Sequence, residues 1–280
     1  MSADDAFLHC AQELRQQDPD RYLVCTLLPP AGRRVAMALF ALDLELARIR
    51  DAVSEPMLGE MRLQFWRDTL TAVAGGEVRA HPVAQALAAA MPKDIPLAGL
   101  LGLVDARARD LDETPMTDLA ELSTYASATA GAINVVLLSM LGINDPDVAA
   151  AARAAGTGWA LVGFMRALPR HLARRRLSIP EEILNRHKVD RDATVAAHFT
   201  PELGRAINDV VVEAERYLST ARQTPLPKAA RPVFAMVLLA VRDAQALKRA
   251  NGNPFGLKPP GPLSRQLTVA LSVLTGRIRG

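Results

Sequence analysis

Between Gly163 and Pro180 the chain reads GFMRALPRHLARRRLSIP, with Arg166, Arg170, His171, Arg174, Arg175 and Arg176 and no carboxylate. Guanidinium groups hold phosphates and carboxylates through paired, charge-assisted hydrogen bonds, so an anion is the ligand this row would take. The competing reading is a solvated basic face or helix end, a common use of a charge run. Pro169 sits inside the run and removes a backbone donor, so residues 167 and 171 need not share one helix face.

Other chemistry is sparse. Carboxylates at i and i+4 share a helix face and can hold Mg²⁺ against a diphosphate. Only Asp51/Glu55 and Asp209/Glu213 have that spacing. Glu55 abuts Pro56, which takes it out of the helix, and Asp209/Glu213 sits beside Glu215 and Arg216 as a solvent face would. The five histidines, His9, His81, His171, His187 and His198, show no metal-ligand spacing; His81 before Pro82 reads as a helix cap. GTGWAL at Gly156–Leu161 lacks the third glycine of a dinucleotide loop and follows an alanine-rich helix instead of a strand. No GxxxxGK[ST], GxSxG or HExxH occurs.

The elements that must position these residues all read as helices. Arg33–Asp51 puts Val35, Leu39, Leu42, Leu46 and Ile49 on one stripe. Further helices are expected near 59–73, 82–91, 96–112, 117–142, 146–167, 181–186, 201–222, 228–250 and 262–277, with Asp118 and Asp145 as caps or flanks. Trp66 and Trp159 read as core. Leu122–Asn144 carries no charge and is long enough to span a bilayer, but its Ser, Thr, Tyr and Asn residues fit a buried bundle helix better. There, Ala126, Ala128, Ala130 and Gly131 would permit close helix approach. In the last helix Leu263, Leu267, Ala270, Leu271, Leu274 and Ile278 form a stripe with Arg265, Arg277 and Arg279 nearby. That stripe is suited either to core packing or to docking on anionic lipid.

Half the residues are hydrophobic and only 4% aromatic, a helix-favouring balance rich in Ala and Leu. A net charge of +3 is too weak a bias to imply nucleic acid, and there is no basic–aromatic interleaving for stacking bases. Cys10 and Cys25 suggest reduced thiols, and the acidic, polar N-terminus resembles no targeting segment. No linker or repeat marks a boundary. The expectation is one all-α domain over residues 1–280 with a central apolar cavity, in a cytoplasmic protein with possible peripheral contact at the inner membrane.

Several strings carry a resemblance. LLPPAGRRVAMALFALDLELARIRD, HPVAQAL, YASATAGA and GFMRALPRHLARRRLSIPEEIL resemble, in order, the squalene/phytoene synthase family. That resemblance implies an isoprenoid-synthase-like helical bundle. In that family two aspartate-rich motifs on facing helices hold Mg²⁺ for head-to-head condensation of prenyl diphosphates. Here Ala47 and Arg48 stand at two of the first motif's aspartates and Asp51 remains; Ala167 and His171 replace the second motif's aspartates, and Gly163 its asparagine. Arg166, Arg176 and Pro180 keep the family pattern. VSE, MRLQFW, LVDARARDLD and the Pro–Arg replacement of the second motif are similar to a non-catalytic branch that assists assembly of respiratory complex I.

The resemblance implies a pseudoenzyme without a cofactor, whose former active site offers Arg34, Arg48, Asp51, Arg166, Arg170, His171 and Arg176 for binding. Its partners would be complex I subunits or other assembly factors, with an isoprenoid or anionic lipid as ligand. Two alternatives stay open at this point: a prenyl-diphosphate synthase with an altered, Mg²⁺-using site, and a lipid-binding module with no tie to complex I.

Overall fold

The computed structural model describes residues 2–92, 96–174, 176–257 and 261–275. Among them there are helices, turns and loops and no strand. The chain opens with α1 (Ala3–Gln17), α2 (Pro19–Thr26), α3 (Pro30–Arg48), a 3₁₀ turn at Ile49–Ala52, and α4 (Pro56–Ala74). It continues with α5 (Pro82–Ala90), α6 (Leu97–Ala106) and a second 3₁₀ turn at Arg107–Leu111. Next come α7 (Leu119–Ala126), a π-helical turn at Ser127–Gly131, α8 (Ala132–Met140), α9 (Pro146–Arg166) and α10 (Leu168–Leu172). The remainder is α11 (Glu181–Arg186), α12 (Arg191–Val195), α13 (Pro201–Gln223), α14 (Arg231–Phe234), α15 (Met236–Arg249) and α16 (Pro262–Thr275).

Local chemistry accounts for many of the boundaries. Proline opens α2, α3, α4, α5, α9, α13 and α16, where its missing N–H has no intrahelical partner to lose. Ser2 and Asp5 form a reciprocal capping box on α1. The side chains of Asp18, His81, Asp118, Asp190 and Thr200 accept from backbone amides at the starts of α2, α5, α7, α12 and α13. Asp145 does the same for α9, accepting from Val148 at 3.1 Å. The roles foreseen for His81, Asp118 and Asp145 hold. α1, α2, α10 and α12 lie outside the helical ranges read from periodicity.

The helices fall into two compact units, each assembled from three separate stretches. The first takes in the described residues of Met1–Glu113, Ala132–Ala149 and Leu226–Val233; the second takes in those of Thr114–Gly131, Ala150–Pro225 and Phe234–Gly280. In the first, α3 packs on α1, α2, α5 and α8, and α6 on α4 and α8. Leu39, Phe40, Leu42 and Leu46 of α3 are buried with Leu63, Trp66 and Leu70 of α4. Cys10 and Cys25 are free and buried in this unit; burial pushes the Cys10 thiol up to about 12, so neither is a poised nucleophile.

In the second unit α9 is pressed close on two sides. A Cβ on Gly156 would lie 2.0 Å from the Ala130 carbonyl oxygen, and one on Gly158 would lie 2.7 Å from Leu218 of α13. The glycines of GTG are therefore contact points inside a helix, and Ala130 and Gly131 supply the close approach expected of them. Stretches Leu119–Met140 and Pro146–Arg166 are each long and apolar enough to cross a membrane by length and composition, with 61% and 67% of the windows buried.

Candidate functional site

In the first unit the densest chemistry surrounds Asp43, in the middle of α3. Its side chain is 3% exposed and takes one guanidinium on each oxygen, from Arg21 of α2 and from Arg107, whose Nη2 lies 2.8 Å away. Arg21 also lies over the Phe40 ring, 5.0 Å from its centroid, and 3.7 Å from Asp18. Arg107 reaches Asp110 at 3.4 Å. Burial works to raise the Asp43 pKa, but the charges of Arg107 and Arg21 and their hydrogen bonds outweigh it and hold the carboxyl well below its ordinary range. The result is an internally neutralised ionic cluster.

Sequence reasoning missed this cluster. The signal was available: Asp43 lies between Leu39 and Leu46 at helical spacing, so it is a lone carboxylate on a buried stripe. Such a group requires cationic or hydrogen-bonding partners.

The first-motif positions follow directly on α3. Arg48, its last residue, donates to Glu13 of α1 at 2.7 Å, and the pair is about one-third exposed. Ala47 offers no ligand, and Asp51 is exposed in the 3₁₀ turn. Arg34 lies near the other end of the helix, bonded to exposed Asp4 at 2.9 Å and over the Phe7 ring. At a rise of about 1.5 Å per residue, Arg34 and Arg48 are about 21 Å apart, so α3 does not bring them together.

The second unit holds the other motif. α9 ends at Arg166 and α10 begins at Leu168, with Pro169 in its first turn. Arg166 pairs with Asp243 of α15, which is 8% exposed and also lies 3.7 Å from Arg265. Arg166 is thus turned to an internal carboxylate.

His171 organises the basic turn that follows. Its carbonyl accepts from the amides of Arg174 and Arg176, both at 2.9 Å. Its ring Nδ1 shares a hydrogen bond with Ser178 Oγ at 2.7 Å. Arg170 is exposed, and Arg176 is half-buried. Arg175 lies outside the described residues.

Two further expectations resolve here. Trp66 is 3% exposed and packs edge-on to His81 with ring centroids 4.9 Å apart. Burial lowers the His81 pKa. The Asp209/Glu213 pair is no simple solvent face, because Asp209 accepts from His187 at 2.8 Å and from Arg186 at 3.2 Å, tying α11 to α13. Glu213 instead pairs with Arg216, so the two carboxylates do not share a ligand.

Neither motif offers the donor set that Mg²⁺ and a diphosphate require. Hard divalent cations take oxygen ligands. Here, Ala47 and Ala167 supply no side-chain oxygen, Arg48 is cationic and held by Glu13, and His171 is engaged with Ser178. Among the described residues no three His, Cys, Asp or Glu side chains gather as a ligand set.

Comparison with known proteins bears on the same residues. A family model described as squalene/phytoene synthase matches residues 14–272. A rat protein named NADH dehydrogenase (ubiquinone) complex I, assembly factor 6 is 29% identical over 96% of this chain and 81% of its own. Its bovine namesake is 31% identical over 95% and 80%. A phytoene synthase from Cereibacter sphaeroides is 26% identical over 80% of this chain and 66% of its own.

Among solved structures, a dehydrosqualene synthase in complex with ligand superposes with a TM-score of 0.84 at 17% identity, covering 98% of this chain and 97% of that one. A squalene synthase from Alicyclobacillus acidocaldarius gives 0.77 at 21% identity over 90% and 97%. These likenesses place the chain in the isoprenoid-synthase fold, as its sequence strings implied.

Proposed function

The chain belongs to the squalene/phytoene synthase family, and within it we propose a pseudoenzyme that assists assembly of respiratory complex I. The observation that carries this reading is the fate of the metal-binding positions. Ala47, Arg48, Ala167 and His171 stand at the family's aspartates, and the two polar replacements are engaged, Arg48 by Glu13 and His171 by Ser178. Ionising a diphosphate needs strong electrostatic stabilisation of the departing charge, and these residues do not rebuild a metal cluster that supplies it. The names of the rat and bovine relatives supply the biological role.

In this reading the protein uses no metal. It works in the cytoplasm where the membrane-bound complex is built, with complex I subunits or other assembly factors as partners. The basic turn after α9 holds an anionic group of a client or of an isoprenoid or anionic lipid. Arg170 and Arg176 are its binding residues, and Arg166 positions the segment through Asp243.

The test is a deletion strain. Assembled NADH:ubiquinone oxidoreductase should fall while polyprenoid, carotenoid and hopanoid levels stay unchanged, and Arg170→Ala/Arg176→Ala should reproduce the loss. Purified protein should not turn over farnesyl or geranylgeranyl diphosphate with Mg²⁺. Normal complex I with depleted isoprenoids, or multiple turnovers to a head-to-head product, would establish the synthase reading to which the phytoene synthase likeness points.

A further inference from the structure

Two consecutive residues of α15 seat the last helix. Arg242 donates to the Ser264 hydroxyl at 3.0 Å, to the Ser264 carbonyl at 3.3 Å, and to the Thr268 hydroxyl. Next to it, Asp243 lies 3.7 Å from Arg265. Among the described side chains of α16 only Val269 is buried, while Leu263 and Leu267 are 74% and 62% exposed. Core packing, one of the two uses read from the sequence stripe, is therefore not theirs. The side chains of Leu271, Leu274 and Ile278, like Arg277 and Arg279, lie outside the described residues. What the described side chains give α16 is chiefly polar contact, and elements held in that way open locally before the rest of a protein unfolds.

The same carboxylate serves a second helix end. Arg166, the last residue of α9, donates to Asp243 Oδ2, and that is also the oxygen beside which Arg265 lies. Among the described ion pairs these two arginines are the cations of Asp243. They differ in access to solvent, since the Arg166 side chain is 35% exposed and that of Arg265 13%. Arg166 therefore has water on one side and a buried carboxylate on the other, just before the turn that carries Arg170. A buried carboxylate is costly without a cation, so either arginine can satisfy Asp243 when the other leaves. Each pairing stabilises less while the other is in place.

We propose that α16 is a strap whose docking is governed by competition between Arg166 and Arg265 for Asp243. With Arg166 seated, the strap opens at little electrostatic cost, because Asp243 stays neutralised. With Arg166 withdrawn, opening strands a buried carboxylate, so Arg265 is held and the strap closes. An anion that draws Arg166 away from Asp243 therefore fastens α16. This last link rests on the anion-holding role proposed for the basic turn, whereas the competition itself rests on the two arginines and their shared carboxylate.

The experiment is hydrogen exchange of the full chain, read by mass spectrometry at the amides of α16. Arg166→Ala should slow exchange there by about tenfold, because opening then leaves Asp243 without a cation. A merely structural arginine would have the opposite effect or none. Arg166→Lys should exchange close to wild type, since it keeps the charge. In an Asp243→Asn background Arg166→Ala should change nothing at α16. Unchanged or faster α16 exchange in Arg166→Ala would overturn the proposal, as would a slowing that persists with Asp243→Asn. Inorganic diphosphate, its binding followed by equilibrium dialysis, should slow α16 exchange in wild type and not in Arg166→Ala. Bound diphosphate that leaves α16 exchange unchanged would overturn the link between anion and strap. Diphosphate that does not bind would count against the anion-holding role, while the Arg166→Ala comparison still decides the competition.

Discussion

The two segments that resemble the family's metal-motif regions hold their cations in different ways. Around the first, cations are neutralised by carboxylates brought from other helices: Arg48 by Glu13, and Arg21 and Arg107 by the buried Asp43. In the second, Arg166 takes Asp243, but the residues after it form a basic turn closed by His171 and Ser178, and the stretch from Gly163 to Pro180 contains no carboxylate of its own. The first arrangement spreads its cations over several helices; the second gathers them on one short piece of chain. Arg48, Arg21 and Arg107 thus tie α1, α2 and the turn after α6 to α3, and Arg166 ties the end of α9 to α15.

The largest test of this contrast is Asp43→Ala. It leaves two guanidiniums in a buried site without their shared carboxylate, and we expect a loss of about 3–5 kcal/mol in chemical denaturation. The pH dependence has a defined sign. The folded pKa of Asp43 is depressed from 3.8, so its contribution is complete above that value and is lost as the pH falls through the folded value. Wild type should lose stability in acid, and the variant should show a shallower decline. An equal acid slope in both proteins would mean the cluster is not the lock described.

Arg166→Ala comes next. It exposes the mostly buried Asp243 to a weaker neighbour, Arg265, and should cost about 2 kcal/mol. Arg166→Lys should recover part of that, since lysine keeps the charge and loses the planar fork. If Arg166→Ala leaves the melting temperature unchanged, the residue faces a ligand and not Asp243. The smallest effect is expected from Arg48→Ala, which breaks a pair about one-third exposed and contributing about 0.5 kcal/mol in denaturant melts. A loss as large as that of Asp43→Ala would erase the distinction between lock and surface pair.

Much of this was legible beforehand, for physical reasons. Helix periodicity, proline at first turns and Asp or Ser caps are local features, so most long helices could be bounded to within a few residues. α10 and α12 escaped because five-residue helices are too short to show a period, and α1 because its polar composition masks the stripe of Phe7, Cys10 and Leu14. The residue identities along the two motif-like segments were also readable. What those residues touch was not. Arg48 with Glu13, Arg166 with Asp243, and Asp209 with His187 join positions far apart in sequence.

By itself, then, the sequence determined the helical class and the run of cations without a carboxylate between Gly163 and Pro180, because each is carried by composition or local pattern. Only the tertiary structure decided that Asp43 is the centre of a buried ionic cluster, that the GTG glycines admit neighbouring helices, and that Leu263 and Leu267 of α16 face solvent. The physical reason is common to all three. A helical pattern gives two faces but not which of them meets the rest of the protein, and that choice is made by partners contributed from distant helices.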